Sequence, residues 1–137
     1  MIELILHGIG DYYLQTDWQG LTKKKPGMIG LYACFKHCVL YSLPFLFIGS
    51  VTACFVIFLT HFIIDRSNLL AYLLAIKNSV FKKQEDIDAQ NLSFPYNYDI
   101  TNFGYGLERP FTISIWLYII SDNLLHIICN HLALRFL

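Results

Sequence analysis

Apolar residues fill long stretches of this chain, and polar residues recur inside them at helical rather than alternating spacing. Residues 2–20 are apolar but carry His7, Asp11 and Gln15 every four positions, which lines them along one face of a helix. Thr22-Lys23-Lys24-Lys25-Pro26-Gly27 then reads as a solvated or headgroup-level loop. From Leu31 to Ile64 the pattern is almost unbroken, with Lys36, His37 and His61 as its titratable members. One helix of that length would run about 51 Å, whereas a bilayer core is about 30 Å thick. Pro44, Gly49 and Ser50 offer the break. The pattern therefore predicts a helical hairpin, with helices at about 28–43 and 46–66, the second able to continue through Ile76. Residues 77–110 are charged, then rich in Asn, Tyr, Phe and Gly, and predict a cytoplasmic or interfacial loop. Pro110 suits a helix start, and residues 111–137 form the last predicted helix.

Composition moves the picture toward a membrane. Of 137 residues, 55% are hydrophobic and 15% charged, with mean hydropathy +0.48. A soluble domain averages about 25% charged. Ten basic residues balance ten acidic ones, so no basic excess points to nucleic acid as a partner. No secretory signal is expected, because Glu3 stands where a basic stretch would. The expected architecture is all-α: a polytopic membrane bundle of about four transmembrane helices in one domain, 1–137. Lys23, Lys24, Lys25, Lys77, Lys82, Lys83 and Arg109 lie in the first and third loops. Only Arg135 lies on the other side. The positive-inside rule then puts the charged loops in the cytoplasm, in a multi-pass protein of the inner membrane.

The candidate chemistry lies in polar residues that a membrane helix does not carry without cost. An Asp at mid-bilayer costs roughly 2.5–3.5 kcal/mol. Three pairs share the four-residue spacing that puts both side chains on one face: His7-x-x-x-Asp11, His61-x-x-x-Asp65 and Asp122-x-x-x-His126. His37 falls in the intervening helix. Counted along their helices, Asp11, His37, His61 and Asp122 sit about 14–20 Å from the helix ends, so four helices could aim one polar cluster at a shared level.

Imidazoles and carboxylates suit a divalent metal: Zn, Mn or Fe. His7, Asp11, His61, Asp65, Asp122 and His126 are the candidate ligands or ligand orienters. His37 is a further ligand or general base, and Gln15 a second candidate for the catalytic site. The set could hold one ion, or two about 3.5–4 Å apart as in phosphoester hydrolysis. Cys34, Cys38, Cys54 and Cys129 read as reduced, buried small hydrophobes, with Cys34 and Cys38 a thiolate alternative beside His37. His131 is expected to face headgroups or water.

The order His7-x-x-x-Asp11-x-x-x-Gln15, Trp18, a following Lys, His37, His61-x-x-x-Asp65 and Asp122-Asn123-x-x-His126 resembles domain-of-unknown-function family 3307. That family comprises small membrane proteins of bacteria and their phages. Its closing motif usually reads Asp-Gln where this chain has Asp122-Asn123. The resemblance implies a polytopic membrane protein with a buried His/Asp cluster and names no reaction.

Two functions follow as expectations. The first is a metal-dependent membrane hydrolase acting on a lipid or other phosphoester. The second is a non-enzymatic membrane factor, either a proton or ion relay or a phage protein acting on a host membrane partner. Membrane lipids are the expected partners, and a homo-oligomer is compatible with either function.

Overall fold

A computed structural model describes residues 2–80, 100, 102–106 and 109–137. Every described element is helical: α1 (Ile2–Gly8), a π-helical turn (Ile9–Tyr13), α2 (Asp17–Thr22), α3 (Gly27–Ser42), a 3₁₀ turn (Leu43–Phe47), α4 (Val51–Arg66), α5 (Leu69–Val80) and α6 (Phe111–Phe136). Most of the predicted 77–110 loop lies outside the described residues.

The hairpin forms where Pro44, Gly49 and Ser50 predict it. Pro44 opens the 3₁₀ turn that ends α3. Ser50 caps α4, its Oγ accepting from the Ala53 N–H at 3.0 Å. Four full spans do not appear among the described residues. Among the described residues two helices are long and apolar enough to cross a membrane, Gly27–Phe47 and Phe111–Phe136. A third counts only if Val51–Arg66 and Leu69–Asn78 are one broken span.

The first predicted helix is not a span but three short pieces. A capping box at Thr16 explains the interruption. The Thr16 hydroxyl accepts from Gln19 N–H at 3.3 Å, and the Gln19 side chain accepts from Thr16 N–H at 2.8 Å. Such a box starts a new helix, so α2 cannot continue the one before it.

Two contact units make up the chain: residues 1–67 with 122–137, and residues 68–121. In the second unit, Asn102 ties a short turn by donating to the Gly106 and Arg109 carbonyls. Tyr105 there carries Lys77 and Arg109 over its ring at 5.5 and 4.8 Å.

The first unit holds the polar cluster beside a small apolar core of Tyr41, Phe45, Ile57 and Ala133, and leaves many large apolar side chains exposed. His7, Gln19, His37, His61, Asp65, His126 and Asn130 are all buried, whereas Phe47 is 91% exposed and Phe35, Phe55 and Ile63 lie more than half exposed. Apolar outside and polar inside is what a bilayer permits and water penalises.

Candidate metal centre

Five elements of the first unit converge on one small volume. The π-turn supplies Asp11, the end of α2 leads to Lys23, α3 supplies His37, α4 supplies His61 and Asp65, and the last part of α6 supplies Asp122 and His126. A π-turn widens a helix locally and often marks a functional position. Here it turns the Asp11 carboxylate toward α3 and α4. The same turn brings Gly10 against the Tyr41 ring, where a Cβ would collide with Tyr41 Cδ2. Gly30 plays the matching part on α3, since a Cβ there would run into the Lys25 carbonyl. That close approach seats the loop holding Lys23.

The heart of the cluster is four atoms. His37 Nε2 and His61 Nε2 stand 3.0 Å apart. Asp11 Oδ1 lies 3.2 Å from His37 Nε2 and 3.5 Å from His61 Nε2. Asp65 Oδ2 lies 3.2 Å from each imidazole nitrogen. Ligands round a tetrahedral ion at 2.0–2.1 Å bond lengths stand roughly 3.3 Å from one another. The five spacings that involve a ring nitrogen bracket that value. His37 Nε2 thus stands level with the candidate ligand atoms of Asp11, His61 and Asp65. Three of these residues, Asp11, His37 and His61, form one metal-capable group. Asp11 Oδ1 is buried and makes no hydrogen bond, as suits an atom reserved for a cation.

Beside this set, Asp65, Asp122 and His126 form a second metal-capable group. Cys38, with His61 and Asp65, forms a third. All four cysteines are free, with Cys34 and Cys38 buried and Cys54 and Cys129 half-buried.

His7 takes a different place from the other histidines. Its Nε2 lies 2.7 Å from Asn123 Oδ1 and its Nδ1 lies 2.8 Å from the Tyr41 hydroxyl. An amide oxygen only accepts, so Nε2 carries the proton and Tyr41 donates to Nδ1. Asn130 Nδ2 in turn donates to the Tyr41 oxygen at 2.6 Å. Both His7 nitrogens are therefore engaged by neutral partners. Its Nδ1 stands 3.5 Å from Asp11 Oδ2. Tyr41 also stacks on His61, with ring centroids 3.6 Å apart, which holds that imidazole in one orientation. His37 Nδ1 and His61 Nδ1 have no hydrogen-bond partner, so packing, not a second carboxylate, sets those two rings.

Lys23 is the residue that sequence reasoning left outside the site. Its ammonium lies 2.7 Å from Asp65 Oδ2 and 2.8 Å from Gln15 Oε1. Burial works against its charge, but the Asp65 and Asp11 carboxylates outweigh burial and hold the ammonium above the usual lysine range. Gln15 thus reaches the cluster through Lys23. The Lys23 and Asp11 side chains are each 15% exposed, and Asp122 is 29% exposed. These three mark the side from which a ligand can approach. His131 stays apart from the cluster and meets Glu3 at 3.2 Å.

No known family, curated protein or solved structure matches the chain. Among the described residues, the fold is all-helical, with two or three apolar helices able to cross a membrane. Inside it lies a buried His/Asp cluster able to hold a metal ion.

Proposed function

We propose that this protein is a divalent-metal-dependent hydrolase of the inner membrane, related to family 3307 and acting on a lipid or other phosphoester. One observation carries the reading: Asp11 Oδ1, His37 Nε2, His61 Nε2 and Asp65 Oδ2 lie 3.0–3.5 Å from one another wherever nitrogen meets its neighbours. The donors are two imidazoles and two carboxylates, a set suited to Zn, Mn or Fe. An ion bound there would act as a Lewis acid and would lower the pKa of a bound water to about 7.

The chain's own residues do the rest. Lys23, held at the partly open edge, meets a phosphoryl oxygen with its ammonium and offsets the charge that grows there. Gln15 steadies that ammonium. Tyr41, hydrogen-bonded to His7 and Asn130 and stacked on His61, fixes the position of that imidazole, so it keeps its geometry when substrate arrives. The apolar exterior presents the site to lipid, and the basic loop of Lys23, Lys24 and Lys25 suits an anionic headgroup.

The test is hydrolysis by the purified protein in detergent, against phosphatidic acid, lipid pyrophosphates and a soluble aryl phosphate. The reading predicts phosphate release that chelation abolishes, that added divalent metal restores, and that His61→Ala removes. Phosphate release indifferent to chelation, or none with the metal-loaded protein on any ester, contradicts it. A proton or ion relay is the second reading, favoured by the continuous contact from Gln15 through Lys23 to Asp65 and His61. It predicts proton flux in liposomes without any hydrolysis.

A further inference from the structure

We infer that the centre is built for two ions, with Asp65 as the carboxylate shared between them; the inference rests on the metal centre proposed above and deepens it. The two oxygens of Asp65 face different partners. Oδ2 faces His37 and His61 at 3.2 Å each, whereas Oδ1 faces His126 Nε2 at 3.7 Å. The other neighbour of His126 Nε2 is Asp122 Oδ2, also at 3.7 Å.

Those two separations are too long for hydrogen bonds. His126 is 1% exposed, and its Nε2 has no hydrogen-bond partner. A buried, unpartnered imidazole nitrogen aimed between two carboxylates lacks an explanation within the protein. A cation between them supplies one. Three ligands spread in a plane round an ion at about 2.1 Å stand roughly 3.6 Å apart, close to the spacing seen on both sides of His126.

The surroundings favour the same assignment. The His126 ring packs on His61 with centroids 4.1 Å apart, so the two sets of ligands are neighbours rather than separate sites. Asp122 is the most exposed of the three carboxylates, which leaves the second position open on one side, as a position that receives substrate requires. A carboxylate with one oxygen on each ion is the arrangement that holds paired ions about 3.5–4 Å apart. Such pairs clamp the attacking and leaving oxygens of a phosphoester.

The test uses the full chain in detergent, stripped of metal and reloaded with Mn²⁺ alone. Bound manganese per chain is counted by elemental mass spectrometry, and its electron paramagnetic resonance spectrum is recorded. The inference predicts two Mn²⁺ per chain and an exchange-coupled spectrum in the wild type. In Asp122→Asn it predicts one Mn²⁺ per chain and an uncoupled spectrum. Asp122 is partly exposed, so its amide variant is expected to fold, and circular dichroism checks this. Should the variant fail to fold, the wild-type count and coupling decide alone. One uncoupled ion in the wild type overturns the shared-carboxylate pair and leaves the single-ion hydrolase standing. No bound ion overturns both.

Discussion

Replacing Lys23 by Met tests whether the buried cluster requires a cation. The ammonium lies 2.7 Å from Asp65 Oδ2, with side chains 15% and 4% exposed. Met keeps much of the aliphatic stem and removes the charge. Breaking a buried ion pair from one side costs about 3–5 kcal/mol, because the remaining charge is left uncompensated. The partial exposure of Lys23 puts the expected loss near the lower end, about 3 kcal/mol. At this chain length that corresponds to roughly 12 °C in Tm.

A divalent ion bound to Asp65 would supply the missing positive charge. The same substitution should therefore cost only about 1 kcal/mol in metal-loaded protein, in the range of a weak surface pair. The assay is thermal unfolding in detergent, followed by Trp18 and Trp116 fluorescence, with and without bound divalent metal. Folding raises the pKa of Lys23, so its contribution is complete below the unfolded value and fades only as pH climbs past the folded one. Measurements from pH 7 to pH 9 should thus agree. An equal Tm loss in stripped and loaded protein, or none in stripped protein, refutes the reasoning.

Other substitutions separate orienting residues from ligands. His7→Ala should weaken metal binding by about 10–100-fold, the usual effect of losing an orienting partner, while saturating metal still restores full occupancy. His61→Ala should leave no occupancy at that position; equal effects from the two would place His7 among the ligands. Gly10→Ala drives a methyl into the Tyr41 ring, and overpacking of this kind costs about 1–3 kcal/mol. Because Tyr41 stacks on His61, denaturation and metal titration should both register the change, and an unaltered metal affinity would show that the stack does not position the ligand.

Much of the site was legible from spacing. Residues four apart on a helix share a face, and the three His/Asp pairs at that spacing all reach the cluster. The same rule extended to neutral polar residues finds two more. Tyr41 lies four beyond His37, and Asn130 lies four beyond His126. The hairpin break followed from Pro44, Gly49 and Ser50, whose effects on backbone geometry are local.

The interruption of the first helix was legible too, in Thr16-x-x-Gln19, but the apolar run around it hid that signal. The π-turn was not legible, because it depends on how Gly10 packs against Tyr41 from another helix. Lys23 was concealed for a related reason. In a run of three lysines nothing local distinguishes the one that turns inward; the approach of Gly30 to the Lys25 carbonyl does so. The number of spans was overestimated because hydropathy reports apolarity and not continuity.

In the function proposed, the His/Asp cluster is a metal centre. X-ray absorption on wild-type protein, purified without chelator, tests it most directly. A bound first-row metal with nitrogen and oxygen ligands at about 2.0–2.2 Å, lost in His61→Ala, is the expected result. A folded wild-type protein that carries no metal and takes up none contradicts it. So does a first coordination sphere of sulfur at about 2.3 Å, which would move the site to Cys34 and Cys38.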